Sequence, residues 1–153
     1  MKYTISGVGE LEVRTILFDL NGTLSAYGRI TENAATKIRA LKEKDFRLVI
    51  VSSDQRGNAT DMAHDLGIEI IKASTEIEKE NVSKTFDKQT TASIGNGRVD
   101  IGLFKHSVLS IGIINKEGLH TGILPFVDLL FNCIEDAFEF FLDEDTLKAT
   151  LKK

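Results

Sequence analysis

Three apolar runs, each closed by a polar or glycine-containing segment, constrain this chain more than any other feature. Ile16-Leu17-Phe18 stops at Asp19, Leu48-Val49-Ile50-Val51 stops at Ser52-Ser53-Asp54, and the run through Ile94 stops at Gly95-Asn96-Gly97-Arg98-Val99-Asp100. Short runs without alternation suit strands buried on both faces, as in a parallel sheet. The intervals between them read as helices. Thr31 is placed to cap one whose apolar face is Ala34, Ile38 and Leu41. Ala59, Met62, Ala63 and Leu66 share a face of a second, with Gly67 as its stop. Thr75 and Glu78 have capping-box spacing and open a third, which carries Lys79, Val82 and Phe86.

Ile68, Ile70 and Ile71 mark a further short strand, as do residues 108–114 and 126–131, and helices are expected over 134–142 and 146–151. Residues 1–13 alternate loosely around Gly7 and Gly9 and predict a hairpin leading into the core. Strands alternating with helices of this length imply a parallel sheet with right-handed crossovers. The expected fold class is therefore α/β, three-layered and Rossmann-like, with residues 1–153 as one domain.

Composition narrows the function. A net charge of −4 and a pI near 5.4 give no basic footprint, so nucleic acid is not an expected partner. No apolar stretch approaches the roughly 18 residues of a membrane span, and the N-terminus lacks a signal-peptide pattern. The single cysteine, Cys133, has no internal disulfide partner and reads as a small core residue in a reducing compartment. The cytoplasm is the expected location.

Polar residues placed directly after the strands of such a sheet gather along one edge, where open α/β folds do their chemistry. Asp19, Ser52 and the segment from Gly95 to Asp100 qualify, and Lys79, at the start of a helix, can join them. Lys72 and Lys84 are the competing lysines, of which Lys84 reads as a solvated helix residue. An aspartate at a strand tip can attack a phosphoryl group and divide one difficult displacement into two. A serine hydroxyl can hold phosphate oxygens, and a lysine can neutralise them while keeping the nucleophile ionised. Ser53 competes with Ser52 for the phosphate or satisfies a turn, and Asp54 either caps the next helix or lies at the site edge.

The segments Asp19-Leu20-Asn21-Gly22-Thr23-Leu24, Ser52-Ser53-Asp54-Gln55-Arg56-Gly57 and Gly95-Asn96-Gly97-Arg98-Val99-Asp100, with Lys79 between the last two, resemble the four ordered motifs of the haloacid dehalogenase (HAD) superfamily. They are most similar to its small soluble proteins related to the P-type ATPase phosphorylation domain. Lys116-Glu117-Gly118 and the ending Leu147-Lys148-Ala149-Thr150-Leu151 extend the similarity toward the C-terminus. The resemblance implies a Mg²⁺-dependent phosphohydrolase that passes through an aspartyl-phosphate, with Asp19, Ser52 and Lys79 catalytic. It implies phosphate binding by Asn21, Gly22, Ser52, Ser53 and Lys79. It implies metal binding by Asp19, the Asn21 carbonyl, Asn96 and Asp100, with Thr23 orienting the first loop. Asn21 and Asn96 stand where many phosphatases of the superfamily carry aspartates, which implies slow turnover.

The intervals from Leu24 to Ser52 and from Ser52 to Lys79 each hold about one helix and one strand, so no cap domain is expected. An open site suits a phosphorylated small molecule or an exposed phosphate on a large partner, or borrows its lid from a second copy in a homo-oligomer. Two rivals exist. A receiver-like domain needs an acidic pair before the phosphorylated aspartate, and none precedes Asp19. A catalytically weak phosphate-binding or regulatory module is the alternative that Asn21 and Asn96 favour. His64 reads as an interfacial or surface residue, His106 and His120 lack metal-ligand spacing, and Phe138, Phe140 and Phe141 read as a core face or an oligomer contact.

Overall fold

The computed structural model describes residues 1–153. The chain opens with an antiparallel hairpin, β1 (Lys2–Ile5) and β2 (Gly9–Glu12), which forms its own two-stranded sheet. Next come β3 (Thr15–Phe18), α1 (Glu32–Glu43), β4 (Arg47–Ser52), α2 (Ala59–Leu66), β5 (Glu69–Lys72), α3 (Glu76–Ser83) and β6 (Thr91–Gly95). The chain ends with α4 (Ile101–Phe104), β7 (Leu109–Ile113), β8 (Leu129–Phe131), α5 (Ile134–Leu142) and α6 (Glu144–Leu151). Strands β3 to β8 make one all-parallel sheet in the order β5-β4-β3-β6-β7-β8.

Strand alternation sorts the apolar runs into two cores. Ile16, Phe18, Leu48, Ile50, Ala92 and Ile94 pack under α1, α2, α5 and α6, where Phe138 meets Phe18 edge to face at 5.6 Å. Leu17, Val49 and Val51 point the other way, against Ala73 and Leu103 on the side of α3 and α4. These are the three expected layers, with helices on both faces of a parallel sheet. The hairpin is tied to this frame: Tyr3 is buried, its hydroxyl donates to the Phe141 carbonyl at 2.9 Å, and Lys153 N–H donates to the Ser6 carbonyl at 3.1 Å.

The strand order places the chemistry. From β3 the chain winds outward through β4 to β5, then returns to β6 on the other side of β3 and winds outward again. The reversal opens a crevice at the C-terminal ends of β3 and β6, where Asp19 and Gly95 stand. Only α1 and β4, then α2 and β5, separate the first three motifs, so the fold carries no cap domain.

Local expectations hold at the helix starts. Thr31 Oγ1 accepts from Ala34 N–H, both halves of the Thr75–Glu78 capping box are formed, and Gly67 closes α2 with φ of 62°. Asp54 resolves to the helix-capping role, its Oδ1 accepting from Ala59 N–H at 2.7 Å. Helix α3 stops at Ser83, with Lys84 as its C-cap, so Phe86 lies beyond it rather than on it. Three further details differ from expectation. The late strand is shorter, because residues 121–126 coil into a 3₁₀ turn around Pro125 that His120 caps and that buries Ile123. The four-residue α4 was not anticipated, being too short to show a period. Cys133 is half-buried at the N-cap of α5 rather than in the core, and burial pushes its thiol up to about 11.

Candidate active site

Asp19 follows β3 directly and its N–H continues the sheet ladder to the Ile94 carbonyl at 3.1 Å, which fixes the backbone that presents the carboxylate. Lys79 reaches it from α3. The lysine is 1% exposed, and its Nζ donates to Asp19 Oδ1 at 2.8 Å and to Asp100 Oδ1 at 2.7 Å. Asp100 in turn closes the β6 loop on itself: its Oδ2 accepts from Asn96 N–H at 2.9 Å and from Gly97 N–H at 2.8 Å. Both Asp100 oxygens are thus engaged, whereas Asp19 Oδ2 receives no side-chain donor.

Close backbone approach makes this convergence possible. A Cβ on Gly102 would lie 2.1 Å from the Glu76 carbonyl, so only glycine lets α4 press against α3 and carry Asp100 to Lys79. Gly22 has φ of 78°, and a Cβ there would lie 2.3 Å from Asn96 Nδ2. The first loop therefore seats directly on the β6 loop, where Thr23 donates to Asn96 Oδ1 at 3.1 Å and Asn96 Nδ2 donates to the Gly118 carbonyl at 3.0 Å. Asn115 Nδ2 donates to the Gly22 carbonyl from the loop after β7.

Two carboxylates face one ammonium in a buried site. Burial first, then the neighbouring Asp100 charge, pushes Asp19 up to about 7 against the opposing pull of Lys79. Lys79 stays protonated: burial works against its charge, but Asp100 and Asp19 outweigh it and lift its pKa above the ordinary lysine value.

The other expected residues are placed as follows. Ser52 is buried at the tip of β4, and its Oγ accepts from Asp54 N–H at 3.2 Å, which leaves its own hydroxyl proton unspent. Ser53 is exposed and makes no side-chain hydrogen bond. Lys72 is exposed and lies 3.7 Å from Asp54, and Lys84 is a solvated partner of Glu80, so neither joins the site. Asn21 stands at the rim, its Oδ1 accepting from Arg56 Nε at 3.1 Å, while Arg56 Nη2 lies 3.4 Å from Glu117 Oε1. Arg56, Asn115 and Glu117 carried no assigned role in the sequence. Arg56 and Glu117 lie in segments that carry the resemblance, but the contacts that bring all three to the first loop exist only through the fold.

A cleft of about 1020 Å³ opens beside the site, sharing Thr23 and Leu24 with the first loop and lined further by Tyr27, Arg29, Lys116 and Cys133. It includes none of Asp19, Lys79 and Asp100, so it adjoins the reacting groups rather than containing them.

The same architecture recurs in solved structures. The cobalt-bound deoxy-D-mannose-octulosonate 8-phosphate phosphatase YrbI of Haemophilus influenzae is similar with a TM-score of 0.75 at 16% identity, over 93% of this chain and 94% of that one. The 3-deoxy-D-manno-octulosonate 8-phosphate phosphatase of Moraxella catarrhalis, solved with magnesium, phosphate and KDO, gives 0.72 at 17% identity, over 92% and 94%. The chain therefore has the HAD-like fold. In sequence it is 35% identical over 80 residues to the uncharacterized protein MJ0073 of Methanocaldococcus jannaschii, a span of 52% of this chain and 81% of that protein. It belongs to the same family as that protein. No family model matches the chain.

Proposed function

We propose that this protein is a Mg²⁺-dependent phosphohydrolase that works through an aspartyl-phosphate on Asp19. The observation that carries the reading is the buried Lys79, which holds Asp19 Oδ1 at 2.8 Å and leaves Oδ2 without a side-chain partner. In this reading Oδ2 attacks phosphorus in line with the leaving oxygen. Lys79 neutralises the transferring phosphoryl group, and the Ser52 hydroxyl and the first loop at Asn21 bind its oxygens, while Gly22, whose N–H donates to the Ser25 carbonyl at 2.8 Å, shapes the turn that brings the loop close. Ser53 is the outer, exposed member of that set. Water then attacks the aspartyl-phosphate and restores Asp19. The fold shared with the two KDO 8-phosphate phosphatases, both solved with a divalent metal, supports the reading.

The donor chemistry fits a hard divalent cation. The Asn21 carbonyl is an oxygen free of partners, Asp19 Oδ1 keeps a lone pair beyond the one that Lys79 takes, Asn96 Oδ1 retains a second lone pair, and the site's excess carboxylate charge is of the sign a cation offsets. Asp19, Asn21 and Asn96 would hold Mg²⁺, with Asp100 contributing its charge through the Lys79 clamp. Bound there, the ion would supply charge neutralisation at the phosphoryl oxygens. No group of three His, Cys, Asp or Glu side chains is gathered for a metal, so a bound ion would draw its remaining ligands from water.

The substrate is a phosphorylated compound, small or macromolecular, approaching an uncapped site. A second copy of the chain is a suitable lid. The experiment is Mg²⁺-dependent hydrolysis of an aryl phosphate by wild type and Asp19→Ala, with labelled phosphate sought on the protein. Loss of turnover together with loss of an acid-stable, hydroxylamine-sensitive phosphoenzyme is expected. A second reading, a phosphate-binding or regulatory module, is favoured by the two amides Asn21 and Asn96. It predicts phosphate binding without Asp19-dependent turnover.

A further inference from the structure

Resting on the phosphohydrolase reading, we propose that Arg56 takes the place of a general acid and selects substrates whose leaving oxygen departs as a stable anion. These are phosphoryl anhydrides and aryl phosphates, not alkyl phosphates. The residue two positions beyond the nucleophile, Asn21, has no titratable proton, so it cannot protonate a departing alkoxide. What the structure sets against Asn21 is a cation. Arg56 Nε donates to Asn21 Oδ1 at 3.1 Å, and its Nη2 reaches Glu117 Oε1 at 3.4 Å. The Arg56 stem lies over Gly28, where a Cβ would come within 3.3 Å of Arg56 Cδ. Glu117 is itself fixed by the Tyr27 N–H at 2.8 Å, and Tyr27, at φ of 51°, sits in the left-handed region that bulky residues avoid. Three loops thus converge to place one guanidinium at the rim beside the first loop.

The side chain remains 43% exposed, and an arginine fork has five N–H donors, of which the structure uses two. The unused donors are left at the solvent-exposed rim beside Asn21, available to an anion at a place where the fold offers no proton. An arginine cannot give up a proton at neutral pH, but it can hydrogen-bond a developing negative charge. In the proposed step Asp19 Oδ2 forms a bond to phosphorus and the bond from phosphorus to the leaving oxygen breaks. The electron pair stays on that oxygen, as carboxylate, phosphate or phenolate, while Arg56 donates a hydrogen bond and transfers no proton. Water later attacks the aspartyl-phosphate, releasing inorganic phosphate and a proton to solvent.

The test is the dependence of kcat/KM on leaving-group pKa across substituted aryl phosphates, with acetyl phosphate and an alkyl phosphate as end points. Wild type, Arg56→Ala, Arg56→Lys and Asp19→Ala are compared. Wild type should show a steep fall as the leaving group becomes more basic, turning over acetyl phosphate and leaving the alkyl phosphate intact. Arg56→Ala should lower kcat/KM for acetyl phosphate by about 10²-fold, the usual loss for one donor to a developing oxyanion, and should steepen the slope. Arg56→Lys should restore part of both. A flat wild-type profile, or Arg56→Ala with rate and slope unchanged, overturns the proposal while Asp19-dependent turnover keeps the phosphohydrolase reading intact. Absence of any Asp19-dependent turnover removes both.

Discussion

Asn21 is the residue at which the proposed chemistry departs most from an efficient phosphatase. Its amide cannot activate water against an aspartyl-phosphate, and a positioned base is worth about 10²–10⁴ in rate. Asn21→Asp should therefore speed loss of labelled phosphate from Asp19 by at least about tenfold, measured by chasing the labelled protein. Arg56 shapes the rest of the outcome. A carboxylate placed at this position, beside the guanidinium that now bonds Asn21 Oδ1 at 3.1 Å, would be held ionised. The variant gains a base without gaining an acid. Alkyl phosphates should stay poor substrates in Asn21→Asp and improve only when Arg56→Ala is added. An Asn21→Asp protein whose phosphoenzyme decays no faster than wild type would remove Asn21 as the cause of slow turnover.

The elements that build the site differ in how openly the sequence announced them. The strand tips at Asp19 and Ser52 were legible because apolar runs end there. Lys79 was legible because Thr75 and Glu78 fix where its helix begins. What stayed hidden is tertiary. The contact of α4 with α3 depends on Gly102, which carries no signal beyond its small size, and the rim arginine meets Asn21 across 35 positions of sequence. Asp100 was expected among the metal-binding residues, and the fold adds a task invisible in spacing, that of holding Lys79 and the β6 loop together. This assigns α4 a measurable role. Gly102→Ala puts a methyl against the Glu76 carbonyl and the Glu80 N–H, backbone atoms that cannot rotate away. Overpacking of this kind costs about 1–3 kcal/mol. The variant should melt several degrees lower, and it should lose activity beyond its loss of stability, because the shift moves Lys79 relative to Asp19. A variant with unchanged melting would show that the two helices are not in firm contact.

At the scale of the whole molecule, stability and function oppose each other through one charge. Asp19 ionises in the folded protein near 7, far above its ordinary value, mainly because it is buried and then because Asp100 is already there. A carboxyl whose folded pKa is raised stabilises the fold while it is protonated. That contribution is complete below the ordinary aspartate range and disappears as pH rises through about 7. Above that pH the sheet edge holds two carboxylates against one ammonium. Asp19→Asn removes the excess charge and leaves Lys79 paired with Asp100 at 2.7 Å. The variant should therefore melt higher than wild type at pH 8, and the gap should shrink as pH falls toward 5, although on the proposed mechanism it should be inactive. Mg²⁺ should raise the wild-type melting temperature at pH 8 and leave Asp19→Asn nearly unmoved, since a cation that binds only the folded state stabilises it by mass action. Thermal melts of both proteins at the two pH values, with and without Mg²⁺, decide the matter. A wild type more stable than Asp19→Asn at pH 8 without metal would mean that Lys79 alone balances both carboxylates, and the case for a cation at this edge would lose its electrostatic basis.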